Sequence, residues 1–441
     1  MINQRRNIVD KSRFLYGMPY QMILGIMTLG FWFMEWERVG IPIFLAFFLV
    51  LLILKKDTTP SIPLLFSGLF MISQTEWTYE LIPFYLYLVP VVLFLGMLVH
   101  VIRFKTKLLR GKMALSIALL FVAMILSTFN AAAITTMYAF YGVVGLVYIL
   151  LYFFYTNTIE GNQTKYLLQL MVILGTLISL EVLIFYLRVD DILAAISSKA
   201  LNLGWGLSNF IATYLIIFIP AAFYFAKETK KPILFLLLIG FQSSMLLMTL
   251  SRGGILAFGV MAILLLVYLF KSKTWKTFLI QGIVILLGLG FLAYFNWDIC
   301  TAIWGRFVSS GLDDSGRLQI YADAIGKFLK HPLFGNGILV RYEDLGEFRM
   351  YHNTILHTLA SFGLVGLAGL IVQLVTTFKI ILTKKTSERW VLAIAICGAH
   401  LHGMVDNVYY MPQFMILIFI MIAIIENANK AVMTSPLVTV N

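Results

Sequence analysis

Residues 278–296 read FLIQGIVILLGLGFLAYFN and contain no charged side chain. An α-helix of about this length crosses the ~30 Å hydrocarbon core of a bilayer. Runs with few or no charges also occupy residues 113–133, 166–187 and 232–250. They lack the alternation of apolar and polar residues that marks the ~10-residue strands of a membrane barrel. The sequence therefore predicts membrane-spanning helices.

The composition points the same way. Of the 441 residues, 61% are hydrophobic and 12% are charged, whereas about a quarter of the residues in soluble domains are charged. The apolar stretches predict an all-α polytopic membrane protein with about 12–14 transmembrane helices. We expect three parts: residues 1–296 hold the N-terminal spans of the transmembrane bundle, 297–351 form one large extracytoplasmic loop, and 352–441 hold the C-terminal spans.

Lysine and arginine indicate the orientation. When the spans are counted off, 23 of the 33 basic residues fall in loops on one side, as the positive-inside rule requires of the cytoplasmic face. Both termini are then expected to be cytoplasmic. The net charge of +12 is a topology signal, because the basic residues are scattered beside anionic lipid. Nucleic acid is not an expected partner. The two cysteines predict neither a disulfide framework nor a cysteine metal site.

The long loop contains a helical pattern. Residues 315–330 read SGRLQIYADAIGKFLK, with apolar side chains at the spacing of an amphipathic helix. His331-Pro332 should end this helix, because proline disfavours a helical residue before it. We expect the helix to lie over the mouth of the bundle.

The expected outer face is rich in arginine. It holds 7 arginines and 3 lysines, against 6 arginines and 17 lysines on the inner face. Arginine grips phosphate oxygens bidentately and keeps its charge in a dehydrating site. The alternative is that these arginines form salt bridges with outer carboxylates. Three of them, Arg188, Arg252 and Arg306, lie at predicted membrane boundaries.

Glu181 lies inside a predicted span, seven residues before Arg188 and on the same helical face. A carboxylate inside a membrane needs a partner. We expect that partner to be Arg188 or an arginine on a neighbouring helix. The alternative is that Glu181 only fixes helix packing.

His352 is the best candidate for acid–base chemistry. It lies at the outer end of a predicted span and is followed by Asn353, whose amide is placed to orient the imidazole. Histidine titrates nearest neutral pH among the side chains. The alternative is that His352 is only an interfacial residue. His357 is five residues on and points elsewhere around the helix, so a two-histidine metal site is not expected. His402 and Asp406 have i,i+4 spacing, and we interpret them as a structural pair, with a metal or catalytic role as the alternative.

At this point the motifs resemble a known family. His352-Asn353, nine residues and Gly363-Leu-Val-Gly366 are similar to the H-[N/S/Q]-x9-G-x-x-G pattern of the O-antigen ligase and O-antigen polymerase superfamily of bacterial polysaccharide assembly. Ser251-Arg252-Gly253, Ser315-Gly316-Arg317 and the segment His331-Pro332-Leu333-Phe334-Gly335-Asn336-Gly337 also resemble it, as does the weaker motif Gly206-Leu-Ser-Asn209 with Ala212. The resemblance spans about residues 200–410.

The resemblance implies a glycosyltransferase with a fold similar to the GT-C type, in the bacterial cytoplasmic (inner) membrane, with an extracytoplasmic active site. It implies an undecaprenyl-pyrophosphate-linked oligosaccharide as donor, inverting transfer, and neither metal nor cofactor. His352 would be the base that deprotonates the acceptor. Arg252 and Arg317 would bind the pyrophosphate, with Arg188 and Arg306 as further members of that group. Asn353, Glu181, Gly363 and Gly366 would support the site.

Three functions stay open, besides that of a non-catalytic assembly partner, which would not require His352. A polymerase transfers the glycan to another lipid-linked repeat unit, and a ligase transfers it to a finished lipid or wall anchor. We favour the polymerase, because the loop is of moderate length, and expect a chain-length regulator as a further partner. A transporter or flippase is a third reading. Transporters usually have repeated halves and broken helices, and the sequence has no visible repeat.

Overall fold

The structure is a computed structural model, and it describes residues 13–73, 84–108, 110–134, 136–272, 275–309, 317–341 and 348–433. Within these ranges a 3-10 turn, Phe14–Tyr16, precedes seventeen α-helices: α1 Met18–Phe33, α2 Glu37–Leu54, α3 Ser61–Phe70, α4 Phe84–Phe104, α5 Ala114–Thr128, α6 Thr136–Thr158, α7 Thr164–Arg188, α8 Ile192–Ser198, α9 Ser208–Glu228, α10 Ile233–Met248, α11 Arg252–Phe270, α12 Trp275–Phe295, α13 Trp297–Ser309, α14 Arg317–Lys330, α15 Thr354–Leu382, α16 Ser387–Gly403 and α17 Pro412–Met433. Two short strands, β1 Val340–Arg341 and β2 Phe348–Arg349, pair antiparallel between α14 and α15.

The prediction of an all-α polytopic membrane protein is confirmed. Among the described residues, eight helices are long and apolar enough to cross a membrane, and four more contain apolar stretches of 10–17 residues. A helix satisfies all its interior backbone hydrogen bonds within one segment, which is what a lipid environment requires.

Two helices form the centre of the bundle. α9 packs against α7, α10, α11 and α16, and α17 packs against α6 and α15. Both bury most of their length inside the protein. By contrast, α12 lies at the periphery, where Phe278 is buried while Leu286 and Phe291 are exposed. Apolar side chains on the outer surface are what a lipid-facing helix presents.

The predicted amphipathic helix is α14. It spans Arg317–Lys330 and ends directly before His331, as the His331-Pro332 pair predicts. α14 packs against α15, the helix that follows His352. The segment before it contains a second helix, α13, which packs against α8. The sequence did not predict α13. Arg306 was expected at the boundary of a span, and it lies instead in the last turn of this helix.

The two ends of the bundle carry different groups. His352 precedes the first residue of α15, and Lys384 follows its last. Near Lys384, the carboxylate of Glu426 lies 3.4 Å from the ammonium of Lys430 and accepts a hydrogen bond from the backbone of Lys112. Lys112, Lys384 and Lys430 therefore lie at the end of the bundle opposite His352.

Candidate active site

His352 lies just before Asn353, the residue that caps α15. Its Nδ1 is 3.1 Å from Oδ1 of Asp406, and its side chain is 43% exposed while that of Asp406 is 6% exposed. An ionised carboxylate can only accept hydrogen bonds, so Nδ1 of His352 donates. The lone pair of the neutral ring is then on Nε2, as a general base requires.

Asp406 lies in the short link between α16 and α17 and is surrounded by donors. Its Oδ2 accepts a hydrogen bond from the amide of Asn209, and its Oδ1 accepts from the backbone N–H of Asn407 at 2.7 Å. Burial raises the pKa of Asp406, but the hydrogen bond and charge of His352, the charge of His402 and the Asn407 N–H outweigh burial and lower the pKa below its usual value. The carboxylate is therefore ionised and can stabilise a protonated His352.

The expected side-chain pairing of His402 with Asp406 is wrong. Nδ1 of His402 lies 2.7 Å from Oγ1 of Thr213, and Nε2 lies 3.3 Å from Oγ of Ser251. The i,i+4 spacing does bring the backbone N–H of Asp406 to the carbonyl of His402 at 3.0 Å, but the side chain of Asp406 bonds to His352 instead. His402 instead joins α9 to the start of α11.

The expected role of Asn353 in orienting the imidazole directly is also wrong. Its Oδ1 accepts hydrogen bonds from the backbone N–H groups of Ile355 and Leu356, and its Nδ2 donates to the carbonyl of Met404 at 2.7 Å. Asparagine is a strong N-cap residue because its side chain satisfies such unpaired N–H groups. Asn353 thus fastens the start of α15 to the link that carries Asp406, and Asp406 orients the ring.

α14 closes over His352. The hydroxyl of Tyr321 donates to the backbone carbonyl of His352 at 2.9 Å, and the hydroxyl of Tyr351 donates to Asp323 at 2.5 Å. Ala324, Val340 and Tyr351 are buried together in a small core beneath the helix. The expectation that the amphipathic helix lies over the mouth of the bundle fits these contacts.

Lys199, which follows α8, is the point where the positive charges meet. Burial lowers the pKa of Lys199 to about 8, against the opposing attraction of Asp406, and the charges of Arg306, Arg317 and Arg252 lower it further. Each of these arginines is therefore close enough to act on Lys199. Three of the four arginines predicted to bind pyrophosphate thus act electrostatically on Lys199.

These cations are connected to His352 by hydrogen bonds. Nζ of Lys199 donates to Oδ1 of Asn209 at 2.7 Å, and the amide of Asn209 donates to Asp406. A chain of hydrogen bonds therefore runs from Lys199 through Asn209 and Asp406 to His352. A guanidinium nitrogen of Arg306 donates to the carbonyl of Ser197, in the same segment as Lys199.

The Gly253-Gly254 pair allows a close approach between α11 and its neighbours. A Cβ on Gly253 would lie 2.3 Å from the side chain of Val405, and one on Gly254 would lie 2.8 Å from Ala212. Ser251 caps α11 by accepting from the Gly254 N–H. The two glycines thus bring the first turn of α11, with Arg252, against the link beside Asp406.

Arg188 and Glu181 have other contacts. Arg188 donates to the carbonyl of Phe33 at 2.8 Å and lies over its ring at 4.0 Å, so its predicted part in pyrophosphate binding stays a prediction. Glu181 is fully buried and accepts a hydrogen bond from the indole of Trp205 at 2.8 Å. The expected arginine partner is wrong, because Arg188 faces α1 while the segment before α9 returns Trp205 to the carboxylate. This contact favours the packing role.

Gly363 and Gly366 act on the shape of α15. Gly363 has φ 64° and ψ −160°, which interrupts the helix, and a Cβ there would lie 2.4 Å from the carbonyl of Leu333. The freed N–H of Leu364 donates to the carbonyl of Pro332 at 2.8 Å. A Cβ on Gly366 would meet Phe362 at 2.2 Å. The turn after α14 is therefore fitted into the break in α15.

Sequence reasoning missed three members of the site. Asp406 was paired with the wrong histidine, and neither Lys199 nor Asn209 was singled out as a functional residue. Asn209 gave a signal, since it ends the motif Gly206-Leu-Ser-Asn209. Lys199 gave a weaker one, as one of 3 lysines on an arginine-rich face.

An exposed histidine held by a buried carboxylate, beside clustered cations at one end of a bundle of apolar helices, defines a membrane protein suited to transfer chemistry on an anionic substrate. Comparison with known families agrees: residues 233–371 match the family model Wzy_C, described as O-Antigen ligase. Residues 233–371 are therefore similar to an O-antigen ligase family domain, and this family implies membrane glycosyltransferase activity. No curated protein matches the chain.

The matched region confirms the resemblance seen in the motifs. It runs from the start of α10 into α15 and includes Arg252, Arg306, Arg317 and His352. Lys199, Asn209 and Asp406 lie outside it. The structure brings those three residues to His352 from helices on either side of the matched segment.

Proposed function

We propose that this chain is a polysaccharide polymerase, which transfers an undecaprenyl-pyrophosphate-linked glycan onto a lipid-linked repeat unit. The observation that carries the proposal is the His352–Asp406 pair at 3.1 Å, next to the cations gathered around Lys199. A base and a binding site for a negatively charged leaving group are the two parts that such a transfer needs.

In the proposed reaction, the acceptor hydroxyl attacks the anomeric carbon of the donor glycan. Its proton moves to Nε2 of His352, and Asp406 stabilises the resulting imidazolium. The bond from the anomeric carbon to the pyrophosphate oxygen breaks, and its electron pair stays on the leaving pyrophosphate. Arg252, Arg317 and Arg306 neutralise that charge. Attack from the face opposite the leaving group inverts the configuration, and the guanidinium groups supply the charge that a metal ion provides in other transferases.

The orientation belongs to the same proposal. The lysine-bearing loops lie at the end of α15 opposite His352, and the positive-inside rule assigns such loops to the cytoplasm. The site then faces the extracytoplasmic side of the bacterial inner membrane, where lipid-linked repeat units are joined.

The polymerase is tested with the purified protein and its lipid-linked repeat unit as the only substrate, the products being resolved by length on a gel. We expect a ladder from the unaltered protein and none from His352→Ala. His331→Ala is the matched control, because His331 is an exposed histidine at the end of α14, and it should keep the ladder. A ladder from well-folded His352→Ala would refute the base assignment.

The ligase is the second candidate, since the family model carries that description. Transfer that begins only after a separate lipid or wall acceptor is added would establish it. A transporter would move the repeat unit across vesicles without lengthening it, and His352→Ala would leave that movement intact.

A further inference from the structure

Lys199 has an unusual position for a lysine. It follows α8 in the left-handed backbone region, with φ 56°, and its Nζ lies 2.7 Å from Oδ1 of Asn209. The side chain is partly buried at the junction of the α8–α9 segment with the link that carries Asp406. A flexible surface lysine would keep its ammonium in water, whereas this ammonium is held on an amide one residue away from the catalytic pair.

The charges that face Lys199 come from every side of the site. Asp406 attracts it from the α16–α17 link, while Arg306 on α13, Arg317 on α14 and Arg252 on α11 repel it. His402 on α16 lies within range of Lys199 and Arg317 as well. Asp406 already accepts hydrogen bonds from His352 and Asn209, and the ammonium of Lys199 is held by the neutral amide oxygen of Asn209. Such an arrangement favours an anionic ligand with more than one charge.

We propose that Lys199 binds the diphosphate of the lipid-linked donor and, through Asn209, couples that binding to the Asp406–His352 pair. This inference rests on the proposed function and adds the residue that senses whether the diphosphate is present. When the diphosphate takes the ammonium, Asn209 remains on Asp406, and the like-charge repulsion among the cations is relieved. The imidazole is then held by a carboxylate that no longer shares its charge with Lys199.

The charge of Lys199 depends on pH in the working range. Its pKa of about 8 lies below the usual lysine value of 10.5, chiefly because of burial and then because of the three arginines. Lys199 is therefore mostly an ammonium at pH 7 and mostly a neutral amine at pH 9. A bound diphosphate favours the ammonium, so binding takes up protons above about pH 8 and weakens as the pH rises.

The experiment compares the unaltered protein with Lys199→Met, Lys199→Arg and the control Lys330→Met, which removes an exposed lysine at the end of α14. Two quantities are measured at pH 7 and pH 9: the binding of inorganic pyrophosphate by calorimetry, and kcat/KM for the lipid-linked repeat unit. Thermal unfolding checks each variant. Lys199→Met should be no less stable than the unaltered protein, because it removes one of several like charges.

We expect Lys199→Met to weaken pyrophosphate binding and to raise the KM of the repeat unit by about tenfold to a hundredfold at pH 7, the range of a charge-assisted hydrogen bond. Lys199→Arg should keep binding at pH 9, where the unaltered protein loses it, because arginine stays charged. Equal binding, KM and pH profile in Lys199→Met and the unaltered protein would overturn the inference. A protein that binds pyrophosphate through Lys199 but makes no ladder would refute the polymerase alone.

Discussion

Replacing Asp406 by asparagine keeps the shape of the side chain but changes what it can bond. Asp406 accepts from three donors: Nδ1 of His352 and the N–H of Asn407 on Oδ1, and the amide of Asn209 on Oδ2. An asparagine has one acceptor oxygen and one amino group. Wherever its amino group points, it meets a donor.

Both orientations of the new amide damage the site. With the amino group toward Asn209, two amide donors face each other, and turning Asn209 over only moves the conflict to Lys199. With the amino group toward His352, the ring must accept on Nδ1, so its proton moves to Nε2. That tautomer cannot act as a base toward the acceptor. The first orientation therefore strains the link between α16 and α17, and the second removes the tautomer of His352 that can act as a base.

The size of the effect follows from the part that Asp406 plays. A positioned general base contributes about 10²–10⁴-fold to a reaction, which corresponds to about 3–5 kcal/mol of transition-state stabilisation. Losing the charge-assisted hydrogen bond alone weakens the imidazolium by about 1.5–3 kcal/mol. We therefore expect Asp406→Asn to lower the rate of glycan transfer by at least about a hundredfold while the KM of the donor changes little.

The assay is the ladder-forming reaction, followed at early times so that kcat and KM are separated. Thermal unfolding of Asp406→Asn in detergent shows whether the protein is folded. Asn407→Ala is a suitable control, because it leaves the backbone N–H to Asp406 in place. A folded Asp406→Asn protein with a rate within about threefold of the unaltered one would refute the orientation of His352 by Asp406.

Two further predictions concern residues that the sequence singled out. Arg252→Lys should raise the KM of the donor nearly as much as Arg252→Ala, because lysine lacks the bidentate fork of arginine. The control Arg38→Ala, which removes an exposed arginine on α2, should leave this KM unchanged. Full activity of Arg252→Lys would mean that the arginine acts only as a point charge. Gly363→Ala should lower the free energy of unfolding by about 2 kcal/mol or more, because Gly363 has a positive φ and a Cβ there would lie 2.4 Å from Leu333. The control Gly259→Ala, at a position in α11 with open space around it, should leave the melting temperature equal or slightly higher.

Much of the architecture could be read from local patterns. The charge-free run at residues 278–296 and the spacing in residues 315–330 each depend on neighbours along one helix, and α12 and α14 form where expected. His352 and the arginines could be chosen because their chemistry is specific to few residue types. A membrane boundary also concentrates functional polar groups.

The partners of these residues could not be read in the same way. Asp406 meets His352 across 54 residues and meets Asn209 across 197, and no periodicity in the sequence connects such distant positions. The i,i+4 rule suggested His402 instead, because it considers only neighbours along one helix and not the side chains that other helices bring to the site. Likewise, Trp205 reaches Glu181 only because the segment between α8 and α9 folds back on α7.

The break in α15 affects the orientation of the His352 imidazole. The turn after α14 is bonded to the backbone at Gly363, since the N–H of Leu364 donates to Pro332 and that of Gly337 donates to Ser361. Nearer its start, α14 is bonded to the carbonyl of His352 through Tyr321. α14 is thus held by hydrogen bonds towards both of its ends, so that a displacement at one end is transmitted to the other. A glycine with no reactive atom, eleven residues from the imidazole along the chain, therefore helps to determine the direction in which that imidazole points.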